Sequence, residues 1–138
     1  MSNKQELGAL LLRLVVGIVF LTHGSVKFQG GIENIAGWFD SIGLPGFLAY
    51  IVAILEVAGG IALILGIGTR VVSALLVLLM LGAIFTVNLA VGFLDGYAYD
   101  LILLVISVYL VLNGSKLLSL GQLIIKGQSE KGSRSKVA

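Results

Sequence analysis

The sequence predicts an all-α integral membrane protein, an antiparallel bundle of four membrane-crossing helices with a short interfacial helix between the first and second. Composition is the first observation: 58% of the 138 residues are hydrophobic and only 12% are charged. Together with a mean hydropathy of +1.09, this lies well above what a water-soluble domain carries. Four apolar windows, residues 7–28, 47–67, 71–91 and 99–120, are the second observation, since a hydrocarbon core roughly 30 Å thick takes about 20 helical residues to cross. The third is that these runs lack the alternation of barrel strands, so helices must satisfy the backbone in lipid.

Taken in order, the start MSNKQELGALLLRL has no short apolar core followed by a small-residue cleavage site, and reads as an uncleaved first helix. The connection 29–46 places Ile32, Ile35, Ala36, Phe39 and Ile42 at helical spacing, with Glu33 and Asp40 on other faces, which predicts the interfacial helix. Trp38 and Phe39 suit the headgroup level, and Gly43-Leu44-Pro45-Gly46 ends that helix before span two. Gly66-Ile67-Gly68-Thr69-Arg70 and Leu94-Asp95-Gly96-Tyr97 are tight turns on either side of span three. The membrane domain is thus expected over residues 1–126, and the polar, basic stretch 127–138 as a disordered tail with too little apolar surface to fold.

Lys4, Arg70, Lys116, Lys126, Lys131, Arg134 and Lys136 fall on one side of these spans against Lys27 near the other, so both termini are expected in the cytoplasm. A net charge of +2, concentrated in the tail, suits an anionic lipid surface and gives no sign of a nucleic-acid partner. Cysteine is absent and histidine occurs once. Thiol relays, cysteine-ligated iron–sulfur clusters and bis-histidine haem are excluded, and neither a metal site nor a covalently bound cofactor is expected.

Ionisable residues within spans cost about +2.5 to +3.5 kcal/mol each at a helix centre, so each needs a reason. Glu56 sits mid-span, with Gly59 and Gly60 three and four residues on, a shallow stripe open to a helix or a flat ligand. Span one supplies Arg13, His23 and Lys27. By helical rise Arg13 and His23 lie roughly 7–8 Å either side of the midplane, and either could reach Glu56. Asn88, Tyr109 and Asn113 add polar groups from spans three and four. They divide into an outer layer of His23, Lys27 and Asn88, joined by Tyr97 or Asp100, and an inner layer of Arg13 and Asn113, with Glu56 and Tyr109 between. An Arg13–Glu56 pair that fixes helix register, asparagines that act as interhelical glue, and glycines that only permit close packing are equally physical readings.

These residues resemble the DoxX family of membrane proteins. The likeness rests on Arg13 in Leu-Leu-Arg-Leu-Val-Val-Gly, His-Gly-Ser-Val-Lys-Phe at 23–28, Trp-Phe-Asp-Ser-Ile-Gly-Leu-Pro at 38–45, and Glu-Val-Ala-Gly-Gly-Ile-Ala-Leu-Ile-Leu-Gly-Ile-Gly-Thr-Arg at 56–70. It covers the first seventy or so residues specifically and the rest by hydropathy. The resemblance implies a four-helix bundle in the bacterial plasma membrane, an oxidoreductase label, and relatives linked to quinone electron transfer or to catechol and oxidant stress.

The function expected on these grounds is a membrane oxidoreductase that binds a quinone- or catechol-type lipophilic compound between its helices. Glu56, His23 and Arg13 are the candidate catalytic residues. Lys27, Gly59, Gly60, Asn88, Tyr109, Asn113 and Trp38 are the candidate binding residues. The chain offers no electron carrier of its own, so a redox protein partner or a second substrate would supply electrons, with a quinone as the non-covalent cofactor and a homo-oligomer as a further partner. The alternative is a non-enzymatic transporter, exporter or accessory subunit of a redox complex.

Overall fold

The computed structural model describes residues 2–137. Helix α1 (Asn3–Gln29) opens on a capping box: the Ser2 hydroxyl accepts from the Gln5 amide, and the Gln5 side chain accepts from the Ser2 amide. Helix α2 (Ile32–Ser41) is the short helix expected between the first and second spans. It turns Ile32, Ile35, Ala36 and Phe39 onto Ala49 and Ala53 of α3 (Phe47–Leu65). The Asp40 carboxylate accepts from the Gly46 amide at 3.0 Å, tying α2 to the start of α3. Helices α4 (Thr69–Val91) and α5 (Phe93–Asn113) complete the set, and α1, α3, α4 and α5 are each long and apolar enough to cross a membrane.

Small residues set the central packing. A Cβ added at Gly60 would lie 2.6 Å from the Leu21 amide nitrogen, and one at Gly17 would lie 2.9 Å from the Gly60 carbonyl, so the α1 and α3 backbones touch. The apolar core beside this crossing joins Val16 and Phe20 to Leu63, Leu76, Met80 and Leu103.

Two boundaries depart from expectation. The fourth span begins at Phe93 and ends at Asn113, earlier than the window 99–120. Gly114, at φ 65° and ψ −168°, breaks the helix there, in a conformation that a residue with a Cβ rarely adopts. The tail also departs, because residues 127–137, expected to be disordered, continue a sixth helix, α6 (Leu120–Val137). Its first turn is pinned: the Ser119 hydroxyl donates to the Gly66 carbonyl at 2.6 Å and the Gly121 amide donates to the same oxygen at 3.1 Å. That anchorage offsets the nucleation cost of the helix, and Glu130 and Arg134, four residues apart in the favourable order, support its length. No residue of α6 is buried.

Candidate functional site

His23 and Lys27 are four residues apart on α1 and share one face of its last turns. Gly24 lies between them, and a Cβ there would sit 2.9 Å from the Glu56 Cβ. This close approach carries Glu56 beneath Lys27, whose ammonium donates to Glu56 Oε2 at 2.7 Å. The carboxylate side chain is 7% exposed and the ammonium side chain 23%, so the pair is largely withdrawn from solvent and each charge depends on the other. The His23 ring stacks on Tyr99 of α5, with centroids 5.8 Å apart and planes 29° from parallel. Its Nδ1 lies 2.8 Å from the Val19 carbonyl oxygen.

The facing ends of α4 and α5 each contain a π-helical turn, Ile84–Asn88 and Phe93–Tyr97. The Leu89 amide reaches back five residues to the Ile84 carbonyl, and the Tyr97 amide to Gly92. Each such turn admits one extra residue and rotates the next residues about the helix axis, and such bulges recur at functional sites. Here they bring Asn88 and Asp100 together, with the Asn88 side-chain amide donating to Asp100 Oδ2. Gly96 accommodates the close approach of the Asn88 carbonyl.

These groups line one cavity of about 570 Å³, within the range of sites for small organic ligands. His23, Lys27, Glu56, Asn88, Tyr99 and Asp100 make its polar wall, with Trp38 and Phe39 of α2 beside them. The remaining wall is apolar, from Phe20 on α1, Leu48, Ile51 and Leu55 on α3, and Leu75, Leu78 and Leu79 on α4. Leu75 and Asn88 both border it on α4, and their helical separation of about 20 Å shows that the cavity is elongated. Ile51, Leu75 and Leu78 on its rim are exposed on the apolar lateral surface. The arrangement can therefore hold a molecule with a polar head and an apolar body. Among the described residues, no three His, Cys, Asp or Glu side chains gather closely enough to hold a metal ion.

Several candidates stand elsewhere. Arg13 is fully buried but does not pair with Glu56. Its Nη1 donates to the Ser115 carbonyl and hydroxyl and to the Leu117 carbonyl, and its Nη2 donates to the Leu118 carbonyl, at 3.0–3.3 Å. The guanidinium thus holds the segment after α5 and satisfies loop carbonyl oxygens that no helix pairs. Gly59 and Gly60 do not border the cavity either. Gly60 is filled by the α1 backbone, and Gly59 faces Val72 and Leu76 of α4. Asn113 turns its amide to the Tyr109 carbonyl one turn back, and neither residue borders the cavity. The site therefore draws together His23, Lys27, Trp38, Glu56 and Asn88, and excludes Arg13, Gly59, Gly60, Tyr109 and Asn113. Tyr99, which by position suits a membrane-interface belt, and Thr86 join the lining as residues that helical periodicity does not mark.

Four apolar helices with charged side chains paired between them define a polytopic helical membrane protein. The DoxX family model matches residues 8–89, and the chain belongs to that family. It is 43% identical over 128 residues to a Bacillus subtilis protein named "Putative oxidoreductase CatD", spanning 93% of this chain and 95% of that one. It is also 33% identical over 70 residues to the Escherichia coli "Inner membrane protein YqjF", about half of each chain (51% and 53%). A third likeness, 39% over 75 residues, is to the Mycobacterium tuberculosis "Uncharacterized membrane protein Rv3486", covering 53% of this chain and 46% of that one. No solved structure matches.

Proposed function

We propose that this DoxX family protein is a membrane oxidoreductase of the bacterial plasma membrane that binds a quinone- or catechol-type lipophilic compound in redox or oxidant-stress defence. The observation that carries the reading is the elongated apolar cavity whose one polar wall holds the Lys27–Glu56 pair, His23, Asn88 and Asp100. A charged pair, an imidazole and a second carboxylate beside an apolar channel are suited to binding an aromatic head and to exchanging its protons. Lys27 supplies a donor for a ligand oxygen, His23 and Glu56 are the proton-exchanging groups, and Trp38 flanks the aromatic ring. The oxidoreductase name of the Bacillus subtilis relative supports the reaction class. The Lys/Arg distribution supports the orientation with both termini in the cytoplasm. Electrons come from a redox partner or second substrate.

Trp38 is the single tryptophan and lines the cavity, so its fluorescence reports occupancy. Purified protein titrated with short-chain quinones and catechols should show saturable quenching, and turnover when a donor is supplied. Quenching that survives unchanged in both Glu56→Gln and His23→Ala variants sinks the site. Energised vesicles that move the compound without changing its redox state would assign transport instead.

A further inference from the structure

We infer that the polar wall of the cavity recognises the reduced, hydroxyl-bearing form of an aromatic compound, a catechol or quinol, in preference to the dicarbonyl quinone. The inference rests on the reading of the cavity as a quinone- or catechol-type site and concerns which form it takes. His23 Nδ1 is 2.8 Å from the Val19 carbonyl oxygen, and a carbonyl only accepts, so Nδ1 carries the proton of that bond. In the neutral ring Nε2 is then a lone pair, an acceptor. Stacking on Tyr99 holds the ring in that orientation.

The neighbouring groups have the same polarity. Glu56 Oε2 is taken by Lys27 and Asp100 Oδ2 by the Asn88 amide. The second oxygen of each carboxylate has no hydrogen-bond partner among the described residues. The polar wall therefore offers His23 Nε2 and two carboxylate oxygens as open acceptors, beside donors from the remaining N–H bonds of Lys27, the second Asn88 amide N–H, the Tyr99 hydroxyl and the Trp38 indole N–H. A quinone has only acceptor oxygens. It can satisfy the donors, but it displaces solvent from the acceptors and returns nothing, and an acceptor left unpaired beneath the bound ligand is costly. A dihydroxyarene donates its two O–H groups to the acceptors, and the same oxygens accept from Lys27. Discrimination by a missing donor is the strong kind, because the site's own polar groups are what remain unpaired.

The full chain in detergent, held anaerobically, is titrated with 4-tert-butylcatechol, its dimethyl ether and the matching ortho-quinone, read by calorimetry and by Trp38 fluorescence. The catechol should bind about tenfold or more tighter than either of the others, and His23→Ala should narrow the preference to within about threefold. Because the chain has one histidine, 15N labelling gives a single pair of ring resonances. These should show the proton on Nδ1, with the Nε2 signal moving on addition of catechol and not of the ether. Equal affinities, a preference for the quinone, a preference unchanged in His23→Ala, or a proton found on Nε2 overturns the inference while leaving the cavity reading standing. Binding by none of the three compounds sinks that reading and the inference with it.

Discussion

Lys27 Nζ stands 2.7 Å from Glu56 Oε2, while Arg13, which helical rise places within reach of that carboxyl, is bound to the backbone after α5. The two basic residues divide the work of the membrane domain. Lys27 equips the cavity, and Arg13 closes the far end of the helix set. Neutralising them should therefore have separable consequences.

Removing one member of the Lys27–Glu56 pair leaves a charge largely withdrawn from solvent without its partner. Lys27→Met and Glu56→Gln should each lower stability by about 2–4 kcal/mol, with the partial exposure of Lys27 placing its variant toward the low end. The double variant should recover about 1–3 kcal/mol relative to the sum of the two. Thermal unfolding in detergent, arranged as a double-mutant cycle, measures this directly.

Arg13→Met frees the buried Ser115 carbonyl and the part-buried Leu117 and Leu118 carbonyls, and should cost about 3–5 kcal/mol. Arg13→Lys should recover little, since a single ammonium cannot reproduce the fork that spans several oxygens. Where the variant remains folded, Trp38 quenching by catechol should keep its affinity, because Arg13 does not border the cavity. Circular-dichroism melts paired with fluorescence titrations distinguish the two effects.

The two adjacent glycines of α3 should behave differently. A methyl group at Gly60 would lie 2.6 Å from the Leu21 amide nitrogen, whereas one at Gly59 meets only the side-chain tips of Val72 and Leu76, at 3.4 and 3.5 Å. Gly60→Ala should destabilise by about 1–3 kcal/mol or more, and Gly59→Ala should change stability by less than about 1 kcal/mol. A chemical unfolding series in mixed micelles would read both.

Deleting residues 127–138 should leave the melting temperature and catechol affinity unchanged, since no residue of α6 is buried. Ser119→Ala should lower stability by about 1 kcal/mol by removing the bond to the Gly66 carbonyl. Differential scanning of the truncated and substituted chains checks the contrast.

The four membrane spans and the amphipathic α2 are legible in the sequence alone, because hydropathy, helical period and glycine turns are local properties that the bilayer reads segment by segment. His23, Lys27, Trp38, Glu56 and Asn88 likewise stand out there as polar or aromatic residues needing an explanation. Which of them meet is settled by the packing of the helices. Helical spacing gives angles within one helix and leaves open how two helices slide and rotate against each other. That offset is set by backbone contact at Gly17, Gly24 and Gly60, which carries Glu56 to Lys27 and not to Arg13. Periodicity also fails across the π turns at Ile84–Asn88 and Phe93–Tyr97, each of which adds a residue to the turn and rotates the rest of its helix. Asp100, one of the two residues that helical rise offers for the outer layer, lines the cavity, and Tyr99 lines it beside His23. The release of the chain at Gly114, which gives Arg13 its partners, likewise lies inside the window 99–120, which would carry the helix seven residues further.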